Sequence, residues 1–273
     1  MYKAYKFRLY PNDEQKAKLN SYFGCGRFVY NHYLNKAKNN KYANVFDNIN
    51  VCTNILKKEF SFLNDVDSML LQNSICDLDN NMNRFFHSGF GYPKYKSKYD
   101  KNSYTTSAIY RDYKDKHYCN IEVALENRKI KLPKLKWVSI RGYRNLESIF
   151  GRIINATISR DNTNKYYVSV VYENQSISKL STPLSIVGLD IGVKNLITLS
   201  DCSFVRNNQY LKKYEKRIKR LQRELSRKQK KSNNFYKCKE RLARLYEELA
   251  NARKYYLHTI TKAITDKYDI IAW

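Results

Sequence analysis

Apolar and polar positions change rhythm several times along the chain. Residues 2–9 carry large side chains on both faces of a short predicted strand, which Pro11 ends. Asn12 and Gln15 have capping-box spacing, and apolar positions then recur at helical intervals through Leu19, Phe23, Phe28, Val29 and Leu34. Gly24 and Gly26 predict a break between a first and a second helix. Helical spacing returns at Val51, Ile55, Phe60 and Leu63, and again at Met69, Leu70, Ile75, Leu78, Met82 and Phe86. Residues 13–88 therefore read as helical, and Gly89-Phe-Gly-Tyr-Pro93 interrupts them.

Beyond that break the period falls to two. Strands are predicted at 104–110, 118–123, 128–132, 136–141, 152–160 and 165–173, the last two flanking the turn Asp161-Asn-Thr-Asn164. Short strands in this number suggest a small barrel interrupted by the helical segment. The polar stretch 174–184 contains Pro183 and reads as a linker. An apolar strand, a Gly192 turn and a second strand follow within 185–199. Two helical runs come next, Leu211 to Leu225 and Phe235 to Tyr256, separated by Ser232-Asn-Asn234. Their spacing predicts an antiparallel hairpin over 209–258. A further helix at about 253–267 and an apolar strand at 268–273 complete the reading.

Charge changes the picture most. Lys and Arg total 51 against 25 Asp and Glu, a net charge of +26. With 42% hydrophobic residues the chain can still bury a core, so the charge marks a folded body built to meet a polyanion. Between Arg206 and Lys262 there are 19 basic residues and 5 Glu. A helical face carrying Arg217, Arg220, Arg223, Arg227, Lys228, Lys230 and Lys231 repels itself unless nucleic acid covers it. The N-terminus has no apolar leader and no run reaches the length of a membrane span. Six dispersed cysteines without a C-x-x-C pair, and four scattered histidines, argue for reduced thiols and against zinc within these residues. The abundance of Lys, Asn, Tyr and Ile fits an AT-rich bacterial genome, so a cytoplasmic, nucleoid-associated protein is expected.

Two segments carry candidate chemistry. If 94–99 is extended, Lys94, Lys96 and Lys98 share one face with Tyr95 and Tyr99 on the other. That row suits either a phosphate backbone or a lysine-protected edge strand. Asp190 lies in a strand, where a buried carboxylate costs stability unless it is paired or metal-bound. Such an acid can hold Mg²⁺ for phosphodiester hydrolysis, or merely cap the turn at Gly192. The same segment also fits the phosphate loop of a sugar kinase, but Gly192 is the last of only eight glycines, which leaves no later glycine turn for a nucleotide.

The collinear motifs Tyr5-Lys-Phe-Arg-Leu-Tyr-Pro11, Gly26-Arg-Phe-Val-Tyr-Asn31, Tyr92-Pro-Lys-Tyr-Lys-Ser-Lys98, Ser103-Tyr-Thr105, Ile130-Lys-Leu-Pro-Lys134, Lys165-Tyr-Tyr-Val-Ser169, Val187-Gly-Leu-Asp-Ile-Gly192 and Leu221-Gln-Arg-Glu-Leu-Ser-Arg-Lys228 span the chain. On them it resembles the TnpB (OrfB) proteins of insertion sequences, transposon-encoded RNA-guided nucleases related to type V CRISPR effectors. The resemblance implies an α+β multidomain fold. A wedge-like β-barrel would come from 1–12 and 104–180, a helical recognition module from 13–103, and a partial RuvC-like nuclease domain of RNase H type from 185–273. It implies a guide RNA from the transposon end and target DNA as partners, Mg²⁺ as cofactor, Asp190 as catalytic metal ligand, and nucleic-acid contacts that include Lys134 and Lys136.

Of the three acids such a nuclease uses, the chain matches only the first. Asp269 opens the last strand rather than following it, and Asp266 does not match either. The glutamate, the final aspartate and a four-cysteine zinc ribbon would lie past residue 273, so a C-terminally truncated protein that binds without cutting is expected. The alternative is a non-catalytic RNA- or DNA-binding regulator. In either case the strand at 269–273 is expected to be a sheet edge and 186–273 to be poorly stable alone.

Overall fold

The computed structural model describes residues 2–39, 49–113, 116–142, 151–173 and 185–273, and the linker read at 174–184 lies outside them. The chain divides into two compact units, Met1–Ile177 and Ser178–Trp273.

The first unit begins with β1 (Tyr2–Tyr10), whose alternation buries Tyr5, Phe7 and Leu9 and turns Lys6 and Tyr10 outward. Asn12 and Gln15 then cap each other: the Asn12 side chain accepts from the Gln15 N–H (2.8 Å) and the Gln15 side chain from the Asn12 N–H (3.1 Å). The helix they start, α1 (Asp13–Asn39), runs unbroken through both glycines expected to split it. Packing overrides local preference here. A Cβ at Gly26 would lie 3.3 Å from Ser74 Oγ and 3.5 Å from Leu70 Cδ2, so glycine lets a second helix approach closely. That partner, α3 (Ser68–Ser88), is capped by Asp67 and follows α2 (Ile49–Glu59) and a short 3₁₀ turn. Gly89, with φ +67°, ends it.

Seven strands form one sheet: β2 (Asn102–Ser107), β5 (Glu122–Ala124), β6 (Lys129–Leu132), β7 (Lys136–Arg141), β8 (Arg152–Arg160) and β9 (Tyr166–Glu173) join β1 in the order β2-β8-β9-β1-β7-β6-β5. The expected barrel is therefore an open sheet among the described residues. After β2 the chain leaves for a separate hairpin, β3 (Tyr110–Tyr113) and β4 (Lys116–Cys119), and returns as the three-residue β5, too short an edge to close on β2. Asn120 fixes the corner, accepting from the Ile109 N–H (2.7 Å) and donating to the Ser107 carbonyl (3.1 Å). The predicted strands 104–110 and 118–123 are each split there. One continuous core joins the inner face of the sheet to the helices.

The second unit carries β10 (Ile186–Ile191), β11 (Asn195–Leu199), β12 (Phe204–Arg206) and β13 (Ile270–Ala272) in the order β12-β11-β10-β13. β10 and β11 are antiparallel, whereas β13 returns parallel to β10 and occupies the edge. Between β12 and β13 lie α4 (Tyr210–Ser226) and α5 (Asn233–Lys267). The two helices expected over 235–267 are one, since no Gly or Pro interrupts that span. Ser232 caps it, accepting from the Phe235 N–H (3.1 Å).

Candidate nucleic-acid interface

Helix α4 presents two faces. Ile218 is buried against Leu245 and Leu249 of α5, with Tyr214, Leu221 and Leu242 packed around them. This apolar stripe fixes the rotation of α4 and turns the opposite face to solvent. There Lys216, Lys219, Arg220, Arg223, Arg227 and Lys228, with Glu224, line a groove of about 760 Å³. Lys219 pairs with Glu215 (2.5 Å) and Lys228 with Glu224 (3.7 Å). Arg220, Arg223 and Arg227 have no carboxylate partner among the described residues. The remaining candidates of this region stand elsewhere: Arg217 turns to Glu248 (4.0 Å), and Lys230 and Lys231 are exposed in the turn between the helices.

The lysines of the first unit divide differently. Residues 94–96 form no strand and a turn follows, so Lys94, Lys96 and Lys98 do not form the expected row. Asn31 clamps Lys96 through both its N–H (2.8 Å) and its carbonyl (2.9 Å), and the ammonium sits 4.0 Å from the Tyr30 ring centroid and 3.3 Å from Asp77. Lys96 is thus tied to Asn31, Tyr30 and Asp77, while Lys98 lies over Tyr99. Lys94 lines a cavity of about 370 Å³ with Arg27 and Lys101, which sequence reading missed because these side chains meet only through the fold. Lys134 donates to the Asn64 carbonyl and so ties the sheet to the 3₁₀ turn, leaving Lys136 exposed at the start of β7.

Asp190 is exposed rather than buried. Strand alternation sends Val187 and Leu189 toward Ile260 and Ile264 of α5 and Asp190 to the other face. The acid lies level with Thr198 of β11 and accepts no hydrogen bond among the described residues, so it is not a turn cap. The turn after it depends on glycine, because a Cβ at Gly192 would lie 2.9 Å from the Asn195 carbonyl oxygen. Among the described residues no three His, Cys, Asp or Glu side chains converge. Asp190 with these neighbours does not fit a two-metal centre, which takes oxygen ligands from several carboxylates. No described helix is long and apolar enough to cross a membrane.

A polar anchor absent from the sequence reading fastens the end of α5. Asp201 accepts from the Ser203 hydroxyl (2.5 Å), the Tyr268 hydroxyl (2.5 Å), the Ser203 N–H (3.0 Å) and Lys267 (3.1 Å). The Ser203 hydroxyl first, then these other donors, hold its carboxyl well below the usual carboxylate range. Beside it Asp269 accepts from the Ser185 N–H (3.1 Å) and hydroxyl (3.0 Å), aligning β13 with β10.

Comparison with known proteins matches residues 169–272 to the OrfB profile of the IS605 group, described as a probable transposase, and residues 1–44 to the helix-turn-helix domain of the same group. InsQ of Escherichia coli K12, named as a candidate RNA-guided DNA endonuclease, is 32% identical over 98% of this chain and 64% of its own length. A protein of Streptomyces pristinaespiralis with the same designation is 29% identical over 98% of this chain and 66% of its own length. The chain thus spans about two-thirds of the length of these relatives. In fold it resembles the Cas12f1 chain of a cryo-EM complex with sgRNA and target DNA, at TM-score 0.54 and 10% identity over 99% of this chain and 80% of that one.

Proposed function

Because the chain belongs to the TnpB/OrfB family of insertion-sequence proteins, we propose that it holds a guide RNA from the transposon end together with its DNA target, and that residues 1–273 by themselves do not cut. In this reading the sheet and helices of the first unit act as wedge and recognition module, and the second unit is part of a RuvC-like domain. The basic groove on α4 carries the proposal. Three arginines on successive turns without carboxylate partners are costly to hold together in water, and a phosphate backbone relieves that repulsion while releasing counterions. Sequence readout would then fall to base pairing between guide and target. Asp190 is the one candidate ligand that the resemblance supplies for Mg²⁺, and a single carboxylate would not hold the metal ions that phosphodiester hydrolysis needs.

The test is to purify the chain with its flanking transposon RNA and follow binding against salt. RNA is expected to copurify, and replacing Arg220, Arg223 and Arg227 by Gln should flatten log K against log salt by about 0.7–0.9 per arginine. An unchanged slope would remove α4 from the interface. With guide, target and Mg²⁺ no cleavage is expected; cutting that disappears in Asp190→Ala would overturn the second half of the proposal.

A further inference from the structure

The second unit holds a groove apart from the basic face of α4. Half-buried Leu196 of β11, Tyr210 and Tyr256 form its floor, the two rings packing edge to face with centroids 5.7 Å apart. Leu211 at the start of α4 and Leu257 of α5 complete the apolar lining, and the cavity measures about 520 Å³. Helical spacing assigns Leu211 to the seam of the hairpin, yet it is 50% exposed, as is Leu257. Single apolar side chains on a surface are ordinary. Two half-exposed leucines lining one hollow with an aromatic floor make the kind of concave patch that a ligand or partner covers.

Much of the polar lining is already committed to the protein's own backbone. Asn207 donates to the Val193 carbonyl (3.1 Å) and accepts from the Gln209 N–H (3.1 Å). The Tyr256 hydroxyl donates to the Arg206 carbonyl. Among the lining residues that leaves Gln209 as the neutral side chain able to meet a base edge. A nucleobase buried here would exchange its water for few hydrogen bonds, which costs affinity.

What the groove does offer is apolar area beside positive charge. Exposed Lys212 and Arg253 stand at its rim. The segments 207–213 and 253–258, which supply most of the lining, add Lys213 and Lys254 and contain no acid. Glu215, one turn beyond Lys212, is taken by Lys219 at 2.5 Å. Arg253 has no carboxylate partner among the described residues. A hollow of this kind is the complement of an apolar side chain flanked by carboxylates.

We propose that this groove is a docking site for an acidic segment of another protein. An aliphatic or aromatic side chain of that segment would seat on Tyr210 and Tyr256, with its carboxylates on Lys212 and Arg253. The buried anchor supplies affinity, and the charges supply orientation and speed of encounter. The site goes beyond the nucleic-acid reading and does not rest on it. It lies at the first turn of α4, whereas the basic groove begins at Lys216.

The experiment measures binding of labelled peptides to the full chain, stripped of nucleic acid by high salt, using fluorescence anisotropy. The probes are acidic peptides with a central Phe or Leu, the same peptides with that anchor replaced by Ser, and basic peptides that keep the anchor. Saturable binding of the first set alone is expected. Leu257→Ser and Arg253→Gln should each weaken it about tenfold. Leu257→Ser should also leave the binding of transposon RNA as it was. Leu211→Ser repeats the test from the other leucine if Leu257→Ser fails to fold. Serine-anchored peptides that bind as tightly as the originals would reduce the contact to bulk charge and overturn the groove. Displacement of the peptide by a uridine oligonucleotide, with loss of that strand in Leu257→Ser, would overturn the protein partner in favour of a nucleic base. Failure of every acidic peptide to bind would overturn the proposal and leave the α4 reading standing.

Discussion

The two units are held together by different physics. In the first, Leu19, Leu34, Leu70, Ile75 and Val168 are fully buried in one core that joins sheet and helices. The second has two small separate clusters, one around Val187, Leu199, Ile260 and Ile264, the other around Ile218, Leu245 and Leu249. It leaves Ile191 70% and Val193 87% exposed. What aligns its parts is polar: Ser185 with Asp269, and Asp201 with Tyr268 and Lys267. Apolar burial is indifferent to pH and tolerant of salt, whereas exposed hydrogen bonds to carboxylates are neither. The unit that carries Asp190 is therefore the more responsive to its surroundings.

The largest effect should come from the first core. Leu70→Ala removes a fully buried side chain from the contact between α1 and α3 and should cost about 2–5 kcal/mol in denaturant unfolding. Leu249→Ala, in a small cluster, should cost less; equal losses would break the contrast. Next is Gly192→Ala, where the added methyl meets a backbone oxygen and must displace it, at about 1–3 kcal/mol. The damage should appear as faster amide exchange in β10 and β11 with the first unit unchanged. The smallest effect is expected at Asp201. Its folded pKa is depressed, so its contribution is fully present above the unfolded value of about 3.9 and is lost as pH falls below it. Acid should release the end of α5 before the first unit responds, and Asp201→Asn should reproduce that release at neutral pH. Amide exchange at Tyr268 and Ile270 reads both.

Much of the local structure was legible, and each miss has a physical reason. The Asn12–Gln15 pair gave the start of α1 because a capping box is a contact between neighbours in sequence. The basic and apolar faces of α4 were equally readable, since both follow from one period. Gly24 and Gly26 misled because a breaker rule weighs backbone freedom alone, while Gly26 serves a helix some 50 residues away. The Lys94–Lys98 row failed because Asn31, on another element, draws Lys96 inward. Asp190 was expected in a buried strand, but among the described residues α5 covers the face that Val187 uses and Asp190 points from the other. The Asp201 anchor and the Arg8–Tyr167 hydrogen bond depend on pairings 67 and 159 residues apart, which no local pattern encodes.

Parallel strands cannot be joined by a tight turn, so the chain must leave the sheet after β12 and return to lay β13 beside β10. It makes that journey as α4 and α5, and α5, with 35 residues, is about 50 Å long. Its last turns, from Tyr256 through Ile264, pack against the sheet, so about 35 Å of the rod projects beyond that contact. A tilt of about 10° in the projecting part would carry the far turn through about 6 Å. The basic groove near that far end thus has reach that the sheet lacks, and a label placed at Lys230 would magnify any slight shift in the seating of β13.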